Sequence, residues 1–184
     1  MDRFYPDIES LNAFTHSLAS LDEKIQCKQC QRQGQMVSHG FIYTQVGKEP
    51  VGKRLFCSNR YGRSGCGRTH QLYLAHRFPF LRYDSAQLRI FLYSLLMGYA
   101  LEEAYEAATG QVDPRNAWRW LKRLICNLTD FRCFIKTHLK SADTALQFKN
   151  RRLSLLLSTL KPLLSLFPHN PCHHYQLLQQ RAFI

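Results

Sequence analysis

The stretches CKQC at residues 27–30 and FCSNRYGRSGCGRT at residues 56–69 each hold two cysteines close together in the chain. Cys27 and Cys30 are separated by two residues, a spacing that lets two thiolates bind one tetrahedral metal ion from a single tight turn. Cys57 and Cys66 are separated by eight residues, which are rich in turn formers and arginine and therefore predict an inserted loop. We predict that these four cysteines bind a structural zinc ion.

Segments typical of β-strands flank the two cysteine pairs. Three segments that contain aromatic or β-branched side chains are predicted to be strands: residues 40–46, 53–56 and 69–74. Strands that alternate with cysteine pairs are typical of a zinc ribbon. A core this small needs a bound metal ion for stability. The alternative is four unrelated buried cysteines, and His39 or His70 could replace one sulfur ligand. The sequence thus predicts a zinc ribbon over residues 27–76.

Basic side chains dominate two parts of the chain. The formal net charge is +12, and residues 27–83 hold ten Lys and Arg against the single acid Glu49. Residues 111–140 hold seven basic and two acidic side chains, so this block has a net charge of +5. Such a surplus favours binding to a polyanion, although a solvated basic surface is the alternative. In the first block, we predict phosphate contacts for five cations: Lys53, Arg54, Arg60, Arg63 and Arg68.

Helix start and stop signals follow the ribbon. Asp84, with Gln87 three residues later, is typical of a helix start, and apolar residues then recur at helical spacing. A second short helix should end at Gly110. Asp113 and Pro114 are an N-cap and a favourable first residue for a third helix. The sequence therefore predicts three consecutive helices joined by short turns.

The third helix has an apolar side and a continuous basic side. A helix of this kind after a short glycine-containing turn is typical of the recognition helix that a helix-turn-helix lays in the major groove of DNA. We predict that Arg115, Asn116 and Arg119 read base edges. Lys122 and Arg123 lie further along the helix and should contact phosphates. An ordinary surface helix in a bundle is the alternative.

Two of these segments resemble a known protein family. The run GQVDPRNAWRWL at residues 110–121 resembles the turn and recognition helix of bacterial insertion-sequence transposases, with Gln111 as one residue more than the family's turn. Residues 57–69 resemble the zinc ribbon that precedes such domains in these transposases and in related mobile-element proteins. The resemblance covers roughly residues 27–128. It implies sequence-specific binding to double-stranded DNA at the ends of a mobile element.

The catalytic half of a transposase has no counterpart in this sequence. Its nuclease needs a set of carboxylates that hold two metal ions, and only Asp130 and Asp143 follow the third helix. We therefore expect an accessory protein rather than an enzyme, with a recombinase or transposase as its partner in transposition or DNA recombination. Two alternatives remain: a transcriptional repressor with the same motif, and a protein-interaction scaffold that binds nucleic acid non-specifically.

Apolar residues at both ends of the chain predict further helices. Residues 1–26 should form an amphipathic helix that packs within the chain. The leucine-rich segment 152–167, which Pro162 should kink or break, offers surface for a homodimer or another partner. Cys126 and Cys133 are expected to be buried. A second metal ion could bind a cluster near the C-terminus: His169, Cys172, His173 and His174.

The predicted fold class is α+β, with a small four-cysteine zinc ribbon followed by an all-α helix-turn-helix region and additional N- and C-terminal helices. The first residues lack the features of a secretory signal, and no apolar stretch is long enough to span a bilayer. We expect a cytoplasmic bacterial protein without membrane contact, in which thiols stay reduced. The predicted domains are an N-terminal helical segment (1–26), the zinc ribbon (27–76), the helix-turn-helix domain (84–140) and a C-terminal interaction tail (141–184).

Overall fold

The computed structural model describes residues 3–19, 25–44, 49–79, 81–138 and 151–184. Within these ranges the fold is α+β, as predicted, with seven α-helices and a four-stranded sheet. The contacts divide the chain into unit 1, Met1–Arg82, which holds the sheet, and unit 2, Tyr83–Ile184, which is helical. Among the described residues, none of the helices has the length and apolar character needed to cross a membrane.

The described residues of unit 1 form a four-stranded sheet and one α-helix. Its elements are β1 (Phe4–Tyr5), α1 (Ile8–His16), β2 (Met36–Tyr43), β3 (Pro50–Cys57) and β4 (Thr69–Leu74). The strands lie in the order β1-β4-β3-β2, with β1 parallel to β4 and the other neighbours antiparallel. Strand β2 begins at Met36, earlier than the predicted start at Gly40. Gly40 has a φ of +86° and lies where the pairing with β3 shifts register, so it is an irregular position inside the strand rather than its start.

The N-terminal helix belongs to the core of unit 1. The Asp7 carboxylate accepts a hydrogen bond of 2.7 Å from the Ser10 N–H and so caps α1. Leu11 and Leu18 are buried in one apolar cluster with Leu55 of β3. A fully buried leucine contributes about 1.5–3 kcal/mol to stability, so the N-terminal residues are a substantial part of this small core.

Unit 2 is all helical. Its elements are α2 (Ser85–Leu96), α3 (Leu101–Thr109), α4 (Pro114–Cys126), α5 (Leu128–His138), α6 (Arg151–Leu166) and α7 (Pro171–Gln179). The predicted helix signals are confirmed: Asp84 and Gln87 form a capping box at the start of α2, and Gly110 ends α3 with a φ of +66°. Asp113 caps α4 by accepting a hydrogen bond of 3.0 Å from the Arg115 N–H.

An aromatic cluster fixes the rotation of α4 about its own axis. The ring of Trp120 meets the rings of Tyr83, Phe91 and Tyr105 edge to face, at centroid distances of 5.5, 5.3 and 5.3 Å. This geometry is favourable for aromatic rings because the positive edge of one ring faces the negative face of another. With Trp120 held inside, the opposite side of α4 is turned to solvent.

The leucine-rich segment is not the free apolar surface that the sequence predicted. In α6, Leu156, Leu157, Leu160 and Leu163 are fully buried, and the helix contacts α2, α4, α5 and α7 within unit 2. Pro162 lies inside the helix rather than at its end. These leucines fill the core of their own unit, so they offer no support for the predicted homodimer.

Candidate functional site

The structure brings together the four cysteines at which we predicted a metal site. The Sγ atoms of Cys27, Cys30, Cys57 and Cys66 all lie within 4.8 Å of one another. Cys27 and Cys66 are 3.7 Å apart at sulfur, as are Cys30 and Cys57. Sulfurs bonded at about 2.3 Å to one tetrahedral ion lie about 3.8 Å from each other, whereas a disulfide would need about 2.05 Å. The four thiols therefore fit a single metal ion, which would join the first cysteine pair to the second.

Tight turns place these sulfurs. In the first turn, the Gln31 N–H donates to the Cys27 carbonyl at 2.9 Å, and the Gln29 N–H donates to Cys27 Sγ at 3.4 Å. In the second, the Gly67 N–H donates to the Cys57 carbonyl at 2.9 Å, and the Cys66 N–H donates to Cys57 Sγ at 3.3 Å. Backbone N–H groups aimed at sulfur favour the thiolate, the form in which cysteine binds a metal.

The thiols of the cluster differ in their electrostatics. A hydrogen bond from the Arg32 backbone lowers the pKa of Cys30 to about 7, whereas burial raises the pKa of Cys57 to about 12. A divalent cation would remove this asymmetry, because coordination requires all four sulfurs to be deprotonated. Among the residues that the structure describes, this is the only group of His, Cys and acidic side chains placed to hold a metal ion.

The two histidines considered as replacement ligands lie in different places. His70 Nε2 lies 3.2 Å from Cys27 Sγ, so it contacts the cluster from outside and orients a ligand rather than replacing one. Burial, with a smaller effect of Lys28, lowers the pKa of His70. His39 instead contacts the ring of Phe56, with centroids 5.5 Å apart. Four cysteines thus suffice for the site.

The loop between Cys57 and Cys66 is held at its base by hydrogen bonds. The Gly65 N–H donates to the Ser58 carbonyl at 2.7 Å, and the Ser64 N–H donates to Gln35 Oε1 at 2.9 Å. Arg63 donates to the Gly34 carbonyl at 2.6 Å, and Arg32 donates to the Ser64 carbonyl. A Cβ at Gly65 would lie 2.3 Å from the Ser58 carbonyl oxygen, so this position requires glycine. Arg63, predicted to contact phosphate, also braces this loop.

The other predicted phosphate contacts of unit 1 differ in their exposure to solvent. Arg54, Arg60 and Arg68 are exposed. Lys53 is only 6% exposed, and its ammonium donates to Thr15 Oγ1 at 2.7 Å and lies 4.8 Å from the centre of the Phe41 ring. Burial lowers the pKa of Lys53. Neighbouring strand residues point to opposite faces, so Lys53 faces the core where Arg54 faces solvent.

The basic face of α4 is exposed as predicted. Arg115, Arg119, Lys122 and Arg123 are exposed, Asn116 is half-buried, and Ala117, Leu121 and Leu124 are buried on the opposite side. Trp118 is 52% exposed on this face. The face therefore combines four cations with an aromatic ring.

Hydrogen bonds orient two of the arginines of α4. The Arg115 guanidinium forms a bidentate pair with the Asp113 carboxylate, with Nη2 2.8 Å from Oδ2 and Nε 3.0 Å from Oδ1. Arg119 donates to Asn116 Oδ1 at 3.2 Å. The ion pair with Asp113 was not predicted, because Asp113 had been assigned only a capping role. The i to i+2 spacing of an acid and an arginine at a helix start was the available signal.

Within the part of the chain that the structure describes, the remaining cysteines and histidines form no second metal site. Cys126 and Cys133 are exposed on α4 and α5, so the prediction that they are buried is wrong. Both lie on the solvent side of helices whose opposite sides hold the aromatic core. Cys172 is fully buried, which raises the pKa of its thiol, while His174 stacks on Phe167 with centroids 4.6 Å apart.

Comparison with protein-family models, curated proteins and solved structures finds no match for this chain. The resemblance to insertion-sequence transposases therefore stays a prediction from residues 57–69 and 110–121.

Proposed function

We propose that this chain is a sequence-specific double-stranded DNA-binding protein that assists recombination or transposition of a mobile genetic element without cutting DNA itself. The exposed basic face of α4 carries the proposal. Arg115, Asn116 and Arg119 occupy the first turns, where a recognition helix meets base edges, and Lys122 and Arg123 are placed for phosphates. In this proposal α3, the turn after Gly110 and α4 form the helix-turn-helix.

The cysteine cluster supports zinc as the cofactor. Four thiolates close enough to share one ion suit Zn²⁺, and a site closed by four protein ligands is structural rather than catalytic. Zinc would stabilise the turns that present Arg60 and Arg68 to solvent. In this proposal, unit 1 is a zinc ribbon that makes a second contact with DNA phosphates.

Selection of bound duplexes from a random pool tests this function. The zinc-loaded chain should enrich an extended sequence at physiological salt, because base-edge contacts discriminate between sequences where phosphate contacts do not. Binding that depends on salt but enriches no sequence would contradict the proposal. It would favour a scaffold that binds nucleic acid non-specifically.

Arg115→Ala should relax the preference for one base pair in the selected site and weaken binding about 5- to 150-fold, since a good bidentate contact to guanine is of this size. The measurement is titration of the selected duplex and of its single-base variants. Arg132→Ala is the matched control, because Arg132 is an exposed arginine of the same unit on α5. Unchanged selectivity in Arg115→Ala would remove this residue from the base-reading set.

Lys53→Met should leave DNA affinity unchanged, because the ammonium of Lys53 is buried against Thr15. Methionine keeps much of the apolar stem and removes the cost of a buried charge, so stability should change by less than about 1 kcal/mol. Arg54→Gln, one residue along the strand, should reduce the salt dependence of binding by about one unit. Equal loss of affinity in both variants would contradict the assignment of Lys53 to the core.

A further inference from the structure

The loop between Cys57 and Cys66 presents a fully exposed aromatic ring at its tip. Tyr61 is 99% exposed, more than any other large apolar side chain among the described residues. Its ring therefore contributes nothing to the core of unit 1. An exposed tyrosine of this kind is a large, rigid contact surface that costs little conformational entropy when it is buried against a partner.

The backbone at Tyr61 gives no folding reason for a tyrosine. Tyr61 has a φ of +54° and Gly62 a φ of +79°, so both residues lie in the left-handed region. This region favours glycine or asparagine over an aromatic residue. A glycine would suit the turn better, so the ring is best explained by contact with a ligand.

The base of the loop holds the ring at a defined place. Arg63 and Ser64 tie the loop to residues 34–35, Gly65 ties it to Ser58, and Arg32 donates to the Ser64 carbonyl. These hydrogen bonds hold the base of the loop in place, and a bound zinc ion would hold it more firmly. Because the loop is already ordered, covering the ring with a ligand should cost little conformational entropy.

The charge around the ring identifies the chemistry of that ligand. Arg60 precedes Tyr61 and is itself exposed, with its guanidinium carbon 5.8 Å from the centre of the Phe56 ring. From residue 27 to residue 83 the only acidic side chain is Glu49. An aromatic ring beside cations matches a base and its phosphates, since every base has a face on which an aromatic ring can stack.

We propose that Tyr61 stacks on an unstacked nucleobase of DNA while Arg60 contacts a neighbouring phosphate. The base faces of an intact duplex are covered by their neighbours, so the ligand is a single strand or a locally opened duplex. The proposal rests on the proposed function in taking DNA as the ligand. It goes further because unit 1 would then prefer unpaired bases, whereas α4 would bind an intact duplex.

The test uses three DNA probes: an intact duplex with the selected site, the same duplex with a single-base bulge, and a single-stranded oligonucleotide. The unpaired base in the last two is 2-aminopurine, whose fluorescence falls when it stacks. Tyr61→Ala should weaken binding to the single strand, the bulged duplex or both by about 5- to 150-fold and restore the fluorescence of the unpaired base. Its affinity for the intact duplex should not change.

Tyr61→Phe is the matched control, because it keeps the ring and should bind as the unaltered chain does. The probe that shows the loss identifies the source of the base, a free strand or an opened duplex. Zinc content and circular dichroism of Tyr61→Ala should be unchanged, since the ring is outside the core.

Unaltered affinity and fluorescence in Tyr61→Ala on both opened probes would overturn the proposal, as would an equal loss on the intact duplex. Either result leaves sequence-specific binding by α4 intact. Conversely, a Tyr61-dependent preference for unpaired bases without an enriched duplex sequence would support this inference and contradict the proposed function.

Discussion

In the proposed zinc-bound chain, Cys57→Ser is expected to abolish metal binding and unfold unit 1. Cys57 is fully buried in the same apolar cluster as Leu11, Leu55 and Leu72, so the ligand is also part of the core. Structural zinc sites in small domains supply about 10–16 kcal/mol of apparent binding free energy, which is comparable with the whole stability of a domain. Serine keeps nearly the same volume, but its hydroxyl is a poor ligand at neutral pH.

Zinc content per chain and limited proteolysis measure this outcome. Cys57→Ser should retain no stoichiometric zinc and should be cleaved rapidly within residues 3–79. Cys126→Ser is the matched control, because Cys126 is exposed on α4 and lies outside the cluster. A Cys57→Ser chain with a full equivalent of zinc and unchanged protease resistance would show that these cysteines are not the ligands.

Trp120→Ala should destabilise unit 2 by about 3–5 kcal/mol, the usual cost of replacing a buried large aromatic residue by alanine. Trp120 is 3% exposed and contacts three other rings, so its removal opens a cavity where α2, α3 and α4 meet. The loss is a large part of the stability of an ordinary domain. DNA binding through α4 should fall with the folded fraction.

Urea unfolding followed by circular dichroism measures this loss. Trp118→Ala is the control, because Trp118 lies two residues earlier on the same helix and is half exposed. It should change the free energy of unfolding by no more than about 0.5 kcal/mol, as surface substitutions usually do. Equal destabilisation by the two substitutions would contradict the placement of α4.

The parts of the structure that local signals determine could be predicted from the sequence. The capping residues Asp84 and Asp113 and the left-handed Gly110 satisfy backbone groups within a few residues of themselves, so their types mark the helix ends. The first cysteine pair, Cys27 and Cys30, is similar, because a CxxC turn brings two sulfurs together whatever surrounds it. The basic side of α4 followed from helical periodicity alone.

The errors concern contacts made across the chain. Strand β1 is two residues long and pairs with β4, which is distant in sequence, so no local sequence pattern predicts it. Lys53 was predicted at the surface from its charge, but the alternation of β3 turns it towards the core. The leucines of α6 fill a core that is complete only when α2, α4, α5 and α7 surround it.

The salt dependence of binding to the selected duplex tests the assignment of α4 to the DNA interface most directly. Each phosphate contact contributes about 0.9 to the slope of log affinity against log salt concentration. Replacing both Lys122 and Arg123, which are exposed on α4, with glutamine should therefore reduce the magnitude of the slope by about 1.8 in a chain that stays folded. An unchanged slope in this folded double variant would contradict the assignment of α4 to the DNA interface.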